Sequence, residues 1–233
     1  MQKAQPSWLG FLLSEDACRH CVGFSEGRNA MTRVMVFVDG ENLTSRYEAM
    51  LKSGRVSKLP DPLYPVNGRV VAHSPGQFAW SPDSARELPV GTMLTRLYYY
   101  TTLQGAHEAV DTLSSHIATH GASPLIDGQI WTQAATVRLV PRVFKKESRG
   151  TKTKSVDINL CVDVMELVSN NALDLVYLIT GDVDYRPLID AVMRTGKRVY
   201  VASLSSGRST RLPDIPDKFI DLDPVYFQPV DKE

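Results

Sequence analysis

The chain has 233 residues, 26 Lys plus Arg against 26 Asp plus Glu, and a hydrophobic share of 43%. That length and composition suit one main α/β domain, and the zero net charge excludes binding to nucleic acid through an overall positive field, so such binding must come from local patches. No apolar run approaches the roughly 20 residues that cross a bilayer, Trp8 to Leu13 is shorter than a signal-peptide core, and Cys18, Cys21 and Cys161 form no even disulfide framework; together these predict a cytoplasmic protein without a membrane partner.

Residues 1–30 show no sustained periodicity and read as an N-terminal arm or extension. Val34 to Val38 is a continuous apolar run ending in Asp39-Gly40, the pattern of a strand buried on both faces of a parallel sheet. A helix is expected from about Asn42 to Lys52. Residues 54–91 collect prolines and glycines and read as a long inserted loop, with a short hairpin at Arg69 to Trp80. Regular structure resumes with a strand at Arg96 to Thr101 and a helix at Gln104 to His120 closed by Gly121 in a left-handed cap. Further strands are expected at Val137 to Phe144, Leu173 to Thr180 and Arg198 to Ser203, with helices at Ser155 to Ser169 and Tyr185 to Thr195. Lys218 to Leu222 adds an edge strand, and residues 225–233 form a tail. Strands separated by helices imply right-handed crossovers and a doubly wound, mainly parallel sheet with helices on both faces. No feature of the sequence reports oligomeric state.

In such sheets the functional crevice lies beyond the carboxyl ends of the strands. Asp39 stands at one such end, and Asp182 and Asp184 follow another through Gly181. On a helix from Val156 to Val168, Leu160, Cys161, Val164, Leu167 and Val168 form one apolar stripe, and Asp157 falls near its centre in the first turn, beside the same strand ends. Asp163 falls at the boundary of the stripe, suited to a supporting or solvated role. Four carboxylates brought together would raise their pKa values unless neutralised, and Mg²⁺ or Mn²⁺, which prefer oxygen ligands, would resolve the conflict. Asn42, in the first turn of the following helix, could orient Asp39 or a water. Taken singly, Asp39 and Asp184 also suit turn or N-cap positions, and Asp157 suits a helix-dipole contact.

These residues resemble the NYN domain family, in its LabA-like branch, within the PIN-like ribonucleases. The matching segments are Val36 to Leu43 (VFVDGENL), Lys154 to Asp163 (KSVDINLCVD), Leu178 to Leu188 (LITGDVDYRPL) and Gly196 to Val199 (GKRV), in the family's order and spacing and within residues 33–222. The resemblance implies a PIN-like fold, metal ligation by Asp39, Asp157, Asp182 and Asp184 with Asn42 in the same site, and Mg²⁺- or Mn²⁺-dependent hydrolysis of RNA leaving a 5′-phosphate. Asp163 matches a recurrent acidic position. Residues 1–30 and 54–91 lie outside the matched pattern, whereas 31–224 form the expected nuclease domain.

Arg138, Arg142, Lys145, Lys146, Arg149, Lys152 and Lys154 meet a single acid, Glu147, and run directly into the helix carrying Asp157. Basic side chains beside an acidic metal centre suit a polyanionic strand, with RNA favoured over DNA; a solvated charged loop is the plainer alternative. Arg186, Arg194, Lys197 and Arg208 could extend the patch. Tyr98 to Tyr100 could stack bases, although tyrosines in a strand more often pack the core. Cys18 and Cys21, with His20, form at best half a zinc site that His116 and His120 could complete; two free thiols in a flexible arm is the plainer reading. A Toprim-like enzyme would want Glu in place of Asp39, and a haloacid-dehalogenase phosphatase would want Asp-x-Asp where Asp39-Gly-Glu41 stands. A module that binds RNA or protein without cutting is the alternative outside catalysis.

Overall fold

A computed structural model of the chain describes residues 31–59, 70–72, 78–104, 106–122, 125–126, 129–130, 137–146 and 155–229. Internal contacts divide the chain into Met1–Ala30 and Met31–Glu233, and every described residue belongs to the second unit. Its elements run β1 (Thr32–Asp39), α1 (Gly40–Lys52), β2 (Val70–Ala72), β3 (Phe78–Trp80), β4 (Thr92–Leu103), α2 (His107–Ala118), β5 (Gly121–Ala122), β6 (Leu125–Ile126), β7 (Gln129–Ile130) and β8 (Val137–Lys145). The second half adds α3 (Ser155–Ser169), β9 (Leu175–Ile179), α4 (Arg186–Arg194), β10 (Arg198–Ser203), β11 (Lys218–Asp221) and α5 (Asp223–Tyr226).

Seven strands form one sheet in the order β11-β10-β9-β1-β4-β8-β5, parallel throughout except for the β8–β5 pair. From β1 the chain winds outward to β4 and β8, then returns through α3 to β9 on the other side of β1. That reversal leaves a crevice between β1 and β9 at their carboxyl ends, as doubly wound sheets do. The expected mainly parallel α/β fold is what the structure shows. No described helix is long and apolar enough to cross a membrane.

Strand alternation assigns the two layers. Val34, Val36 and Val38 pack with Leu43, Tyr47 and Met50 of α1 and with Leu113 and Ile117 of α2. Met35 and Phe37, of the opposite parity, pack with Val156, Leu160, Val164 and Val168 of α3 and with Leu188, Ile189 and Val192 of α4. Asp39 shares the parity of Phe37, so its side chain belongs to the α3 layer. Tyr99 faces the first layer and Tyr100 the second, both fully buried, which settles those two as core residues. At the amino ends, Asp174 staples β1 to β9, accepting from Arg33 N, Nε and Nη2 at 2.9, 3.0 and 2.8 Å.

Gly40 sets how closely α1 approaches β4. A Cβ there would overlap the Tyr99 ring and stand 2.8 Å from the Tyr100 carbonyl oxygen. Neither backbone nor buried ring can yield cheaply, so Gly40→Ala is expected to cost about 3 kcal/mol by overpacking, read from chemical denaturation; an unchanged midpoint would contradict this packing.

Several expectations change. The inserted region is not wholly a loop: β2 and β3 form the expected hairpin, but Phe78, Ala79 and Trp80 are fully buried, and Ser84, Ala85 and Leu88 follow them into the core. Nor does a tail begin at 225, because Val225, Tyr226 and Phe227 are buried and Phe227 bridges Ser57. Gly121 does not cap α2 in the left-handed region; the helix ends on Thr119 in a right-handed conformation, and Gly121 opens β5. His120, 5% exposed, packs edge-on to Phe78, and its Nδ1 is bonded locally to Thr119 and the His116 carbonyl, so it serves the core, while the exposed His116 lies edge-on to the same ring. Cys18 and Cys21 lie outside the described residues.

Candidate active site

The carboxyl ends of β1 and β9 meet through one buried carboxylate. Asp39, 4% exposed, ends β1 and caps α1: its Oδ1 accepts from Asn42 N at 3.0 Å. Its Oδ2 accepts from the Thr180 hydroxyl at 3.1 Å, and that same hydroxyl accepts from Asp182 N at 3.2 Å. Asn42 closes the crossing from the other direction, with Oδ1 accepting from Gly181 N at 3.0 Å. The loop after β9 is therefore pinned to the start of α1 by two hydrogen bonds. Asp182 in turn caps the short 3₁₀ turn Val183–Tyr185 by accepting from Asp184 N at 2.9 Å. The cap role weighed from sequence is real for Asp39, whereas after β9 the cap is Asp182 rather than Asp184, and capping uses only part of each carboxylate's accepting capacity.

Tyr185, buried, donates to Asp157 Oδ1 at 3.0 Å. Burial, then the nearby Asp39 and Asp157 charges, hold this phenol far above its ordinary pKa, so it is a permanent donor. Asp157 itself is exposed, in the first turn of α3. Asp157, Asp182 and Asp184 line a cavity of about 240 Å³ together with Ile158, Cys161, Val162 and Tyr185. Asp39 stands behind that cavity and is not part of its lining.

Burial pushes the Asp39 carboxyl up to about 7, against the Asn42 and Thr180 bonds that favour its charge; Asp157 and Glu41 raise it further. Among the described residues no basic side chain pairs with Asp39, Asp157, Asp182 or Asp184. The Cys161 thiol is also pushed up, by burial and by Asp157, so it is a poor nucleophile.

Carboxylate oxygens that no basic side chain among the described residues neutralises are the right chemistry for Mg²⁺ or Mn²⁺. Yet no three His, Cys, Asp or Glu side chains among the described residues stand close enough together to hold an ion. Asp39 is turned inward by its bonds to Asn42 N and Thr180, while Asp157, Asp182 and Asp184 rim the cavity. Mg²⁺ commonly takes only one or two protein carboxylates and keeps several waters, so the donors fit a hydrated ion rather than a protein cage.

The sequence model of the NYN domain matches residues 33–223. The chain belongs to the NYN domain family. This NYN domain is also similar in fold to a crystal structure of a protein of unknown function from Vibrio parahaemolyticus, with a TM-score of 0.52 at 14% identity, over 86% of this chain and 98% of that one. No curated protein matches it. Membership assigns a PIN-like nuclease fold, and a nucleic acid as partner, to the chain.

The basic residues of the NYN domain divide by position. Arg142 stands opposite Tyr100, which in turn stands opposite Asp39, so it lies two strands, about 10 Å, from the buried acid. It pairs with Asp163 at 3.2 Å and lies 5.8 Å from the Tyr98 ring centroid, and Asp163 also accepts from Tyr100 at 2.8 Å. Asp163 therefore holds Arg142 and Tyr100 in place. Lys145 is exposed at the end of β8, and Lys146 approaches Glu41 at 3.5 Å. Arg186 is exposed at the start of α4 and pairs loosely with Asp190 at 3.6 Å. Arg149, Lys152 and Lys154 lie outside the described residues. Lys197 belongs to the wrong end of the sheet, beside Asp174 at 3.5 Å, and Arg194 closes α4 just before it; a crossover helix runs back against its strands and carries its last turn away from the crevice.

Sequence reasoning missed Thr180, Tyr185 and Glu41. Thr180 and Tyr185 sit inside the LITGDVDYRPL segment, so the segment itself was their signal. Glu41 accepts from Thr102 at 3.2 Å and raises the Asp39 carboxyl, which only the register of β1 against β4 reveals.

Proposed function

We propose that this NYN domain is a divalent-metal-dependent ribonuclease, acting in the cytoplasm. Asp39, Asp157, Asp182 and Asp184 would hold a hydrated Mg²⁺ or Mn²⁺, partly through its waters, with Asn42 in support. The observation that carries this reading is the buried Asp39 carboxyl, raised to about 7 behind a rim of three more carboxylates, with no basic partner at the switch point of the sheet. A site that only stabilised the fold would gain by neutralising that charge.

A bound divalent cation would supply charge neutralisation at the phosphate and a more acidic water for in-line attack. The protein's own residues set the frame. Tyr185 fixes the Asp157 carboxylate by hydrogen bonding, leaving its second oxygen directed elsewhere. Asn42 and Thr180 lock the loop that presents Asp182 and Asp184. Arg142, Lys145 and Lys146 on one side and Arg186 on another offer phosphate contacts, with Arg149, Lys152 and Lys154 continuing the basic run in sequence.

The test is incubation of the full chain with labelled single-stranded RNA, structured RNA and DNA in Mn²⁺, Mg²⁺ or EDTA. RNA cut only with metal, leaving 5′-phosphate ends, is the expected result. RNA bound but intact under every condition would instead favour a binding module.

A further inference from the structure

On the β10 side of the crevice, away from the basic run before α3, three polar atoms are buried without a hydrogen-bond partner among the described residues: Arg46 Nε, Ser203 Oγ and Arg208 Nη1. They converge on the same turn. A Cβ added to Gly181 would stand 3.4 Å from Asn42 Oδ1, 3.8 Å from Ser203 Cβ and 3.9 Å from Arg208 Cα. Gly207, with φ +61°, packs directly against the Arg46 guanidinium, which a Cβ there would displace. Arg46 lies one helical turn after Asn42 on α1, hence on the same face, and Asn42 is bonded to Gly181.

Ordinary structural roles leave these donors unused. Ser203 is 2% exposed, and its neighbour Ser205, not Ser203, takes the hydroxyl bond to Asp223. Arg208 lies 4.9 Å from the Phe219 ring centroid and keeps a long ion pair with Asp221, Nη1 to Oδ1 3.8 Å, which leaves that nitrogen without a hydrogen bond. Arg46 has no ion pair among the described residues. Two guanidinium groups held beside one turn repel one another, and an unpaired buried donor costs free energy, unless an anion completes the set. The fork of a guanidinium and a serine hydroxyl match the oxygens of a phosphate.

The geometry points to a phosphate subsite formed by Arg46, Ser203 and Arg208 around Gly181, which receives a non-scissile phosphate of the bound strand. It rests on the nuclease reading for the identity of that strand. It also supplies what the acidic rim lacks, a positive contact on the side of the crevice opposite Arg142, so that a strand would be gripped on both flanks of the carboxylates.

The experiment measures binding of a short labelled single-stranded RNA to the full chain in EDTA over a salt series, for wild type, Arg46→Gln, Arg208→Gln, Arg46→Lys and Ser203→Ala. The expected result is about tenfold weaker binding for each glutamine variant, a salt slope reduced by about one, and partial retention in Arg46→Lys. Inorganic phosphate should compete with the RNA for wild type and less well for Arg46→Gln. Circular dichroism and the thermal midpoint confirm that each variant is folded, and Ser203→Ala, which removes only an oxygen, gives a second reading if an arginine variant is not. Affinity and salt slope unchanged in all folded variants would overturn the subsite. If wild type cuts RNA with metal while these variants keep its KM and salt slope, the subsite falls and the nuclease reading stands. If wild type never cuts but Arg46→Gln still loses affinity, the subsite stands and the nuclease reading falls.

Discussion

Asp39→Asn is expected to make the apo protein more stable, by about 4 kcal/mol at pH 8 in EDTA. The sign follows from the direction of the shift. Burial raises the folded-state carboxyl to about 7, above its unfolded value near 4, so the folded form holds the proton more tightly. The stability that the protonated group contributes is complete below about pH 4 and is lost as pH rises to about 7. An amide of the same shape carries no charge and escapes that loss. Its oxygen can still accept from Asn42 N, and Thr180 can turn its hydroxyl to accept from the new amide, so the cap need not be sacrificed. Urea titrations at pH 4 and pH 8 check this: the two proteins should agree at the lower pH and separate at the higher. Parallel pH profiles would show that Asp39 is not the strained charge described.

The second large effect is catalytic. Asp182→Asn and Asp157→Asn should each lower kcat on RNA by about 10³-fold, with KM little changed, because each removes negative charge that matters to the ion rather than contact with the strand. Tyr185→Phe should cost only about tenfold, since it frees the Asp157 carboxylate without removing it. That graded order separates a site built from oriented carboxylates from a surface where any acidic residue would serve. Single-turnover measurements on one RNA with all three variants check it, and equal activity across the series would refute the assignment.

The parts of the fold legible in the sequence were those whose pattern is set by the sheet itself. The apolar run Val34 to Val38 reads as a central strand because both faces are covered, by α1 on one side and by α3 on the other. The positions of Asp39, Asp182 and Asp184 followed from strand ends, and helical spacing put Asp157 in the first turn of α3 beside them, but not its exposure: Val156 and Leu160 take the buried face and Asp157 stays at the rim. What could not be read depends on tertiary partners. Phe78 to Trp80 is a three-residue strand among prolines, too short for periodicity, and it is buried because Trp80 Nε1 reaches the Gly121 carbonyl at 3.0 Å and Thr44 bonds Ala79 N at 3.0 Å. Phe227 enters the core through a pairing with Ser57 that no local pattern encodes.

The same division runs through the site. Its residue types were visible, but the inward turn of Asp39 depends on Thr180 and Asn42 together, which no spacing along the chain encodes. The misplacement of Lys197 and Arg194 had a different origin: charge was counted along the chain, while the direction of α4 decides which end of the sheet receives it.

Calorimetric titration of Mn²⁺ into the full chain at pH 6, in two buffers of different ionisation enthalpy, is the most direct measurement of the central claim. Saturable binding with proton release is predicted for wild type, because an ion drawn to the acidic crevice would discharge Asp39; binding should be weakened in Asp182→Asn, and proton release abolished in Asp39→Asn. No saturable binding, or binding indifferent to both substitutions, would contradict it.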